Sequence, residues 1–192
     1  MNFCSQCGSA SLALRIPEGD TLPRFVCADC GTIHYQNPKV VVGCLPVWRD
    51  EVLLCRRAIE PRLGLWTLPA GFLENHETLE AGAMRETLEE ADARVTIDGI
   101  YTLISIVHVS QVFAMFRATL CDCNFGPGTE SLEVRLFSED AIPWESLAFR
   151  TISRTLRNYF LDRHDGAWPL RISTIEHSRL RTPDVPAAAS GA

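Results

Sequence analysis

Between Glu74 and Asp92 lie seven acids, Glu74, Glu77, Glu80, Glu86, Glu89, Glu90 and Asp92, against one base, Arg85. The whole chain carries a formal charge of −6 from 18 basic and 24 acidic residues, so this segment holds the entire excess. A surplus gathered in this way marks either a heavily solvated helix or a cation site. At about 100° per residue, a helix from Thr78 to Ala91 places Ala81, Met84, Leu88 and Ala91 on one stripe suited to packing on a sheet, and Glu86, Glu89 and Glu90 on the other. Like charges three and four residues apart destabilise a helix by about 0.2–0.5 kcal/mol per pair. A hard divalent cation offsets that repulsion, because magnesium takes oxygen ligands and bridges carboxylates to substrate phosphates. Arg85, four residues before Glu89, is placed to brace it.

A second chemistry is written in cysteine. Of the eight cysteines, Cys4, Cys7, Cys27 and Cys30 form two CxxC pairs separated by 19 residues, the spacing of a four-cysteine zinc site. Gly8 and Gly31 follow the second cysteine of each pair, where a tight turn tolerates positive φ. Four thiolates close the tetrahedral shell, so this zinc is expected to be structural, and a module of about 35 residues needs it because its own core is too small. His34 is expected as an ordinary strand residue. Cys44, Cys55, Cys121 and Cys123 lack metal spacing and are expected as small buried apolar side chains.

The flanks of the acidic helix extend its pattern. Gly71, five residues, Glu77, seven residues, then Arg85-Glu86-Thr87-Leu88-Glu89-Glu90 resembles the Nudix box, and Gly64, Trp66, Leu68, Pro69 and Ala70 resemble the family's approach to it. Three positions depart from the pattern: Thr87 and Ala93 stand where aliphatic residues are usual, and Asp92 replaces the closing glycine. None removes a carboxylate, and Asp92 can still end a helix in the left-handed conformation.

The resemblance implies an α/β fold, an α/β/α sandwich with a mixed sheet, and hydrolysis of a nucleoside diphosphate linked to another moiety with magnesium or manganese. By motif position it makes Glu86 and Glu90 principal metal ligands and Glu89 a further ligand or base, with the Ala70 carbonyl completing the shell. Glu77 and Arg85, with Gly71, would hold loop and helix in register. The family often draws a further carboxylate from a later loop, for which Glu130 and Glu133 are the candidates. Arg56 and Arg57 are placed for phosphate contact, since guanidinium forks suit phosphate oxygens. Trp66 and Phe72, with Tyr101 and Phe113, are candidates to stack on an adenine or flavin ring. The family also implies a homodimer.

A zinc ribbon before such a domain resembles two groups, the NADH pyrophosphatases and a family that includes FAD and ADP-ribose diphosphatases. Of the Ser-Gln-Pro-Trp-Pro-Phe-Pro stretch usual in the first group, only Ser110-Gln111 remains here. FAD or ADP-ribose is therefore the expected substrate, split to AMP plus FMN or ribose phosphate, with NADH the alternative. A reading of another class, a non-catalytic nucleotide sensor or nucleic-acid-binding ribbon, finds little support. Residues 1–35 hold two arginines and three acids, which gives no footprint for nucleic acid.

The elements that must position these residues follow from periodicity. Arg24–Cys27 and Thr32–Gln36 read as a hairpin around the second knuckle. Val40–Trp48 and Val52–Arg57 read as strands joined at Arg49-Asp50, with a short strand near Trp66. Val95–Ile97, Tyr101–Val109, Gln111–Leu120 and Leu132–Phe137 continue a mixed sheet, and a second helix runs from about Phe149 to Arg163. The expected divisions are a zinc ribbon over 1–36, the Nudix-like domain over 37–170 and a C-terminal extension over 171–192 with a disordered end. The longest near-continuous apolar stretch, Val40–Trp48, has nine residues and contains Pro46, too short to cross a bilayer. With no leader legible in the first ten residues, the cytoplasm is the expected compartment.

Overall fold

The computed structural model describes residues 1–176, which separate into two compact units, Met1–Pro38 and the chain from Lys39 onward. In the first unit, β1 (Leu12–Arg15), β2 (Arg24–Cys27) and β3 (Ile33–His34) form an antiparallel sheet in that order. The β2–β3 hairpin is the expected one, and β1 is an addition to it. Strand β1 pairs with β2 from Leu12↔Cys27 to Arg15↔Arg24 while exposing most of its side chains, so backbone bonding rather than burial holds it. Buried apolar residues in this unit are Cys4, Val26 and Cys27, too few for a core.

The second unit contains β4 (Lys39–Trp48), β5 (Glu51–Arg57), β6 (Trp66–Thr67), β7 (Ala70–Phe72), α1 (Leu79–Ala91), β8 (Val95–Ile106), β9 (Gln111–Leu120), β10 (Ser131–Phe137), α2 (Arg150–Asp165) and β11 (Arg171–Thr174). The sheet order is β10-β5-β4-β9-β8-β11, with β6 on β5 and β7 on β4. It is mixed: β4 runs parallel to β9 and β8 to β11, and the other pairs are antiparallel. Strand alternation sends Val42, Cys44, Ala114, Phe116 and Ala118 toward Ala83 of α1. It sends Leu45, Val52, Leu54 and Met115 toward Ile152, Leu156, Tyr159 and Phe160 of α2. The sheet is thus covered by a helix on each face.

Elements of the second unit depart from expectation as well. Strand β8 continues through the expected break between Ile97 and Tyr101, absorbing it in register shifts beside Gly99. Val107–Val109 is a 3₁₀ turn rather than strand. Arg171–Thr174, expected in the C-terminal extension, joins the sheet as β11; the end expected to be disordered, after Arg181, lies outside the described residues.

Helix α1 also turns a different face to the sheet. Its buried residues are Gly82, Ala83, Thr87, Glu90 and Ala91, whereas Met84 and Leu88 are 39% and 48% exposed. Close approach is the cause: a Cβ on Gly82 would sit 2.9 Å from Cγ2 of Val42. Small residues fit that gap, and the larger apolar ones ride on the flank. Thr87 meets burial by donating its hydroxyl to the Ala83 carbonyl at 2.8 Å. Asp92 ends the helix at φ 46°, its amide bonded to the Leu88 carbonyl.

Candidate active site

Helix α1 starts at Thr78, whose Oγ1 accepts the Ala81 amide at 3.2 Å. Two turns on, Arg85 organises the surroundings. Its Nε and Nη2 grip Glu77 at 3.0 and 2.7 Å, Nη2 also reaches the Phe72 carbonyl at 3.1 Å, and Nη1 donates to Glu86 at 2.7 Å and Glu89 at 3.0 Å. Arg85 and the Glu74 amide together hold the Glu77 carboxyl at about 2. The glycine strand, its following loop and the helix are therefore tied at one guanidinium.

Glu86 and Glu90 face the body of the domain. A Cβ on Gly71 would overlap the Glu86 carboxylate, so the glycine forms a cradle for that group. Glu90 is only 6% exposed and accepts the Ala70 amide at 3.3 Å. Burial raises both carboxyls, Glu90 to about 8, with Glu86 and Glu130 reinforcing the rise at Glu90 and the Ala70 amide and Arg57 opposing it. Glu89 is exposed and bound to Arg85. The three carboxylates share a helix edge without closing into a tight cluster. Among the described residues, the set of three or more ligand groups drawn within 4.8 Å of one another is the four cysteines.

The loop after β9 is fastened over the end of α1. Gly126 and Gly128 donate to the carbonyls of Ala91 and Glu90 at 2.8 and 3.1 Å, and a Cβ on Gly128 would overlap the Glu89 carbonyl oxygen. These bonds satisfy last-turn carbonyls and bring Glu130 close enough to raise both Glu86 and Glu90. Glu133 does something else: it lies 3.6 Å from both Arg56 and Arg135.

A cleft of about 580 Å³ abuts this acidic edge at Ala70 and Gly71, and Arg57, Phe72 and Phe113 also line it. Its far wall comes from the start of α2 and from Ile175 and Glu176. Arg57 is in the cleft; Arg56, expected beside it, bonds the Gly64 carbonyl and Glu133 instead, because consecutive strand residues point to opposite faces. Of the candidate stacking residues, Phe72 is open, with Lys39 Nζ 4.9 Å from its ring. Trp66 is 8% exposed and packs edge-on to Phe137 at 4.9 Å, so it is a core residue and no substrate platform. Tyr101 is likewise buried, donating to Asp162 at 2.6 Å.

In the first unit the sulfurs of Cys4 and Cys30 lie 3.7 Å apart and those of Cys7 and Cys27 3.6 Å. Zinc–thiolate bonds of about 2.3 Å at tetrahedral angles place sulfurs about 3.8 Å apart, so the donor set fits that ion. Gly8 and Gly31 close the knuckles at φ 77° and 74°, their amides on the Cys4 and Cys27 carbonyls. His34 lies on β3 outside the cluster. Cys44 and Cys55 are buried as expected, but Cys121 and Cys123 are exposed in the loop after β9.

A sheet between two helices, one of which lines its edge with carboxylates behind a glycine strand, defines the class of this domain. The NUDIX domain model matches residues 37–152 and the zinc-ribbon model described as Nudix N-terminal matches residues 2–36; the chain belongs to the Nudix family. A Nudix hydrolase from Nitrosomonas europaea, known from its crystal structure, is 59% identical, with 92% of this chain and 100% of that one covered and a TM-score of 0.89. The NAD-capped RNA hydrolase NudC of Vibrio vulnificus is 33% identical over 82% of this chain and 60% of its own, and that of Pseudomonas aeruginosa (strain LESB58) 30% identical over 86% and 57%. The chain thus spans about three fifths of the length of these curated relatives. Among the described residues no helix is long and apolar enough to cross a membrane.

Proposed function

We propose that this chain is a metal-dependent pyrophosphohydrolase acting on a nucleoside diphosphate joined to a second moiety. The observation that carries the reading is the seating of Glu86 and Glu90 against Gly71 and Ala70 where the cleft begins. Glu86 and Glu90, with Glu89 and the Ala70 carbonyl, would hold magnesium or manganese, which supplies charge for the phosphate oxygens and an activated water. Arg85 and Glu77 keep the carboxylates in place, and Glu130 stands beside them as the candidate base. Water adds to one phosphorus, the bridging P–O bond breaks, and the proton of the water passes to the base, so two monophosphates leave. Arg57 contacts phosphate, and Phe72 and Phe113 flank the nucleotide. The zinc of the first unit is structural, which suits a reducing compartment such as the cytoplasm.

For the second moiety, NAD-type dinucleotides rank ahead of the FAD or ADP-ribose expected from the Ser110–Phe116 stretch, because the relatives matched over four fifths of the chain are named for NAD-capped ends. Those names also keep a capped RNA end among the substrates, against the expectation that nucleic acid plays no part. FAD and ADP-ribose remain a second reading, since only Ser110-Gln111 of the NADH-pyrophosphatase stretch is present. A homodimer is proposed from family resemblance alone.

The test is product analysis with magnesium or manganese across NADH, FAD, ADP-ribose, coenzyme A and NAD-capped RNA. AMP with nicotinamide mononucleotide is the expected pair; a panel left intact overturns the reading. Glu86→Gln and Glu90→Gln should abolish turnover in a folded protein, and unchanged turnover would remove the site assignment.

A further inference from the structure

The amino end of α2 opens into the same cleft as Phe72 and Gly71. Phe149, its N-cap residue, provides no side-chain cap, and the first turn contains no acid. The amides of Ile152 and Ser153 both bond the Phe149 carbonyl, at 3.1 and 3.2 Å, while those of Arg150 and Thr151 precede any intrahelical acceptor. Such an end carries roughly half a positive charge and bare donors, a setting suited to an anion.

Thr151 supplies an independent sign of a ligand. It lines the cleft, is 1% exposed, and its hydroxyl is buried without a hydrogen-bond partner. A buried hydroxyl left unpaired costs stability, and most such groups in folded proteins are satisfied. The surrounding charge specifies the sign of what satisfies it. Arg57, Arg62 and Arg150 line the cleft against one acid, Glu176, and the Arg57 guanidinium stands 5.2 Å from the Phe149 ring. Arg57 is also the arginine whose charge reaches Glu90, so it links this helix end to the carboxylate edge.

We infer that the amino end of α2, through the Thr151 hydroxyl and first-turn amides with Arg57 beside them, is a phosphate subsite. Resting on the pyrophosphohydrolase reading, it takes a phosphate of the nucleotide substrate across the cleft from the metal-binding carboxylates. The unpaired hydroxyl then reflects a site whose partner arrives with the ligand, a local cost of the kind found at functional positions.

The experiment titrates inorganic phosphate into the full chain in the presence of a chelator of magnesium and manganese that leaves the ribbon zinc in place. Binding is read by calorimetry and by the Thr151 amide signal in NMR. The wild type should bind phosphate and shift that amide. Thr151→Val should bind at least about tenfold more weakly, the size expected for one hydrogen bond to a charged group. It should unfold at the same or a higher temperature, because it also removes the unpaired hydroxyl. Thr151→Ser, which keeps the hydroxyl, should bind like the wild type. Equal affinity in wild type and Thr151→Val, or no phosphate binding by the wild type, overturns the inference. No turnover enters this readout, so an intact dinucleotide panel would sink the hydrolase reading alone.

Discussion

The Cα of Gly71 rests against the carboxylate of Glu86, leaving no room for a Cβ between strand β7 and helix α1. The atoms nearest to the Cβ that Gly71→Ala adds are all at the far end of one flexible side chain, Glu86. Stability should therefore drop by less than about 1 kcal/mol, within the range of mild substitutions. Turnover should fall about 10²-fold, because the displaced group is one whose position matters to within about an ångström. Steady-state kinetics beside a thermal melt separates the two effects; wild-type turnover in Gly71→Ala would show that the Glu86 position is not required.

Gly128 makes the opposite case. Its added Cβ would run into the main-chain oxygen of Glu89, which cannot swing aside. Gly128→Ala should cost about 1–3 kcal/mol, as overpacking does, and carry Glu130 away from Glu86 and Glu90. Glu130→Gln should lower turnover without loss of stability, since it removes a charge that opposes ionisation of the half-buried Glu86 and the buried Glu90. Chemical denaturation and kinetics on both variants check this, and a destabilised Glu130→Gln would contradict it.

The contrast between Gly71 and Met84 shows what could be read before the fold was known. The carboxylates, glycines and cysteines were legible because their chemistry fixes both type and spacing. Strands β4, β5, β9 and β10 were legible because alternate residues go to α1 and α2. The packing stripe of α1 was not, since hydrophobicity selects Met84 and Leu88 whereas close approach to Val42 selects Gly82 and Ala83. Strands β1 and β11 escaped because their side chains are mostly exposed and backbone pairing holds them. Trp66 and Phe72 are equally plausible platforms as residue types; only tertiary placement puts one in the core and the other in the cleft. Thr151 carries no sequence signal at all, because an unpaired hydroxyl is a property of its surroundings.

Burial holds the Glu90 carboxyl up at about 8, against about 4.5 for the same group in the unfolded chain. The folded protein therefore keeps a proton that the unfolded chain has already lost. This group's contribution to stability is complete below about pH 4.5 and is lost as pH rises through about 8. With divalent cations chelated, the thermal midpoint should decline over that window, and Glu90→Gln should flatten the decline. Magnesium affinity should rise over the same window, because the ion competes with the proton for the carboxylate. Glu77 acts with the other sign: held at about 2 by Arg85, its contribution is present above about pH 4.5 and lost as pH falls toward 2. A Glu90→Gln melt with the wild-type pH slope would show that another group sets it.

The two units should respond differently to loss of zinc. Cys4 and Cys27 are buried, and besides them Val26 is the buried apolar residue of the first unit, so thiolate coordination must supply most of its folding free energy. The three apolar clusters of the second unit draw every member from residue 40 onward. Cys27→Ser, or extraction of the metal by a strong chelator, should therefore unfold residues 1–38 while the chain from Lys39 keeps its sheet. Limited proteolysis should then cut within the ribbon and spare the rest, and the amide spectrum should lose the dispersed signals of β1–β3 alone. Survival of those signals without zinc would mean that the ribbon is held by contacts other than its four thiolates.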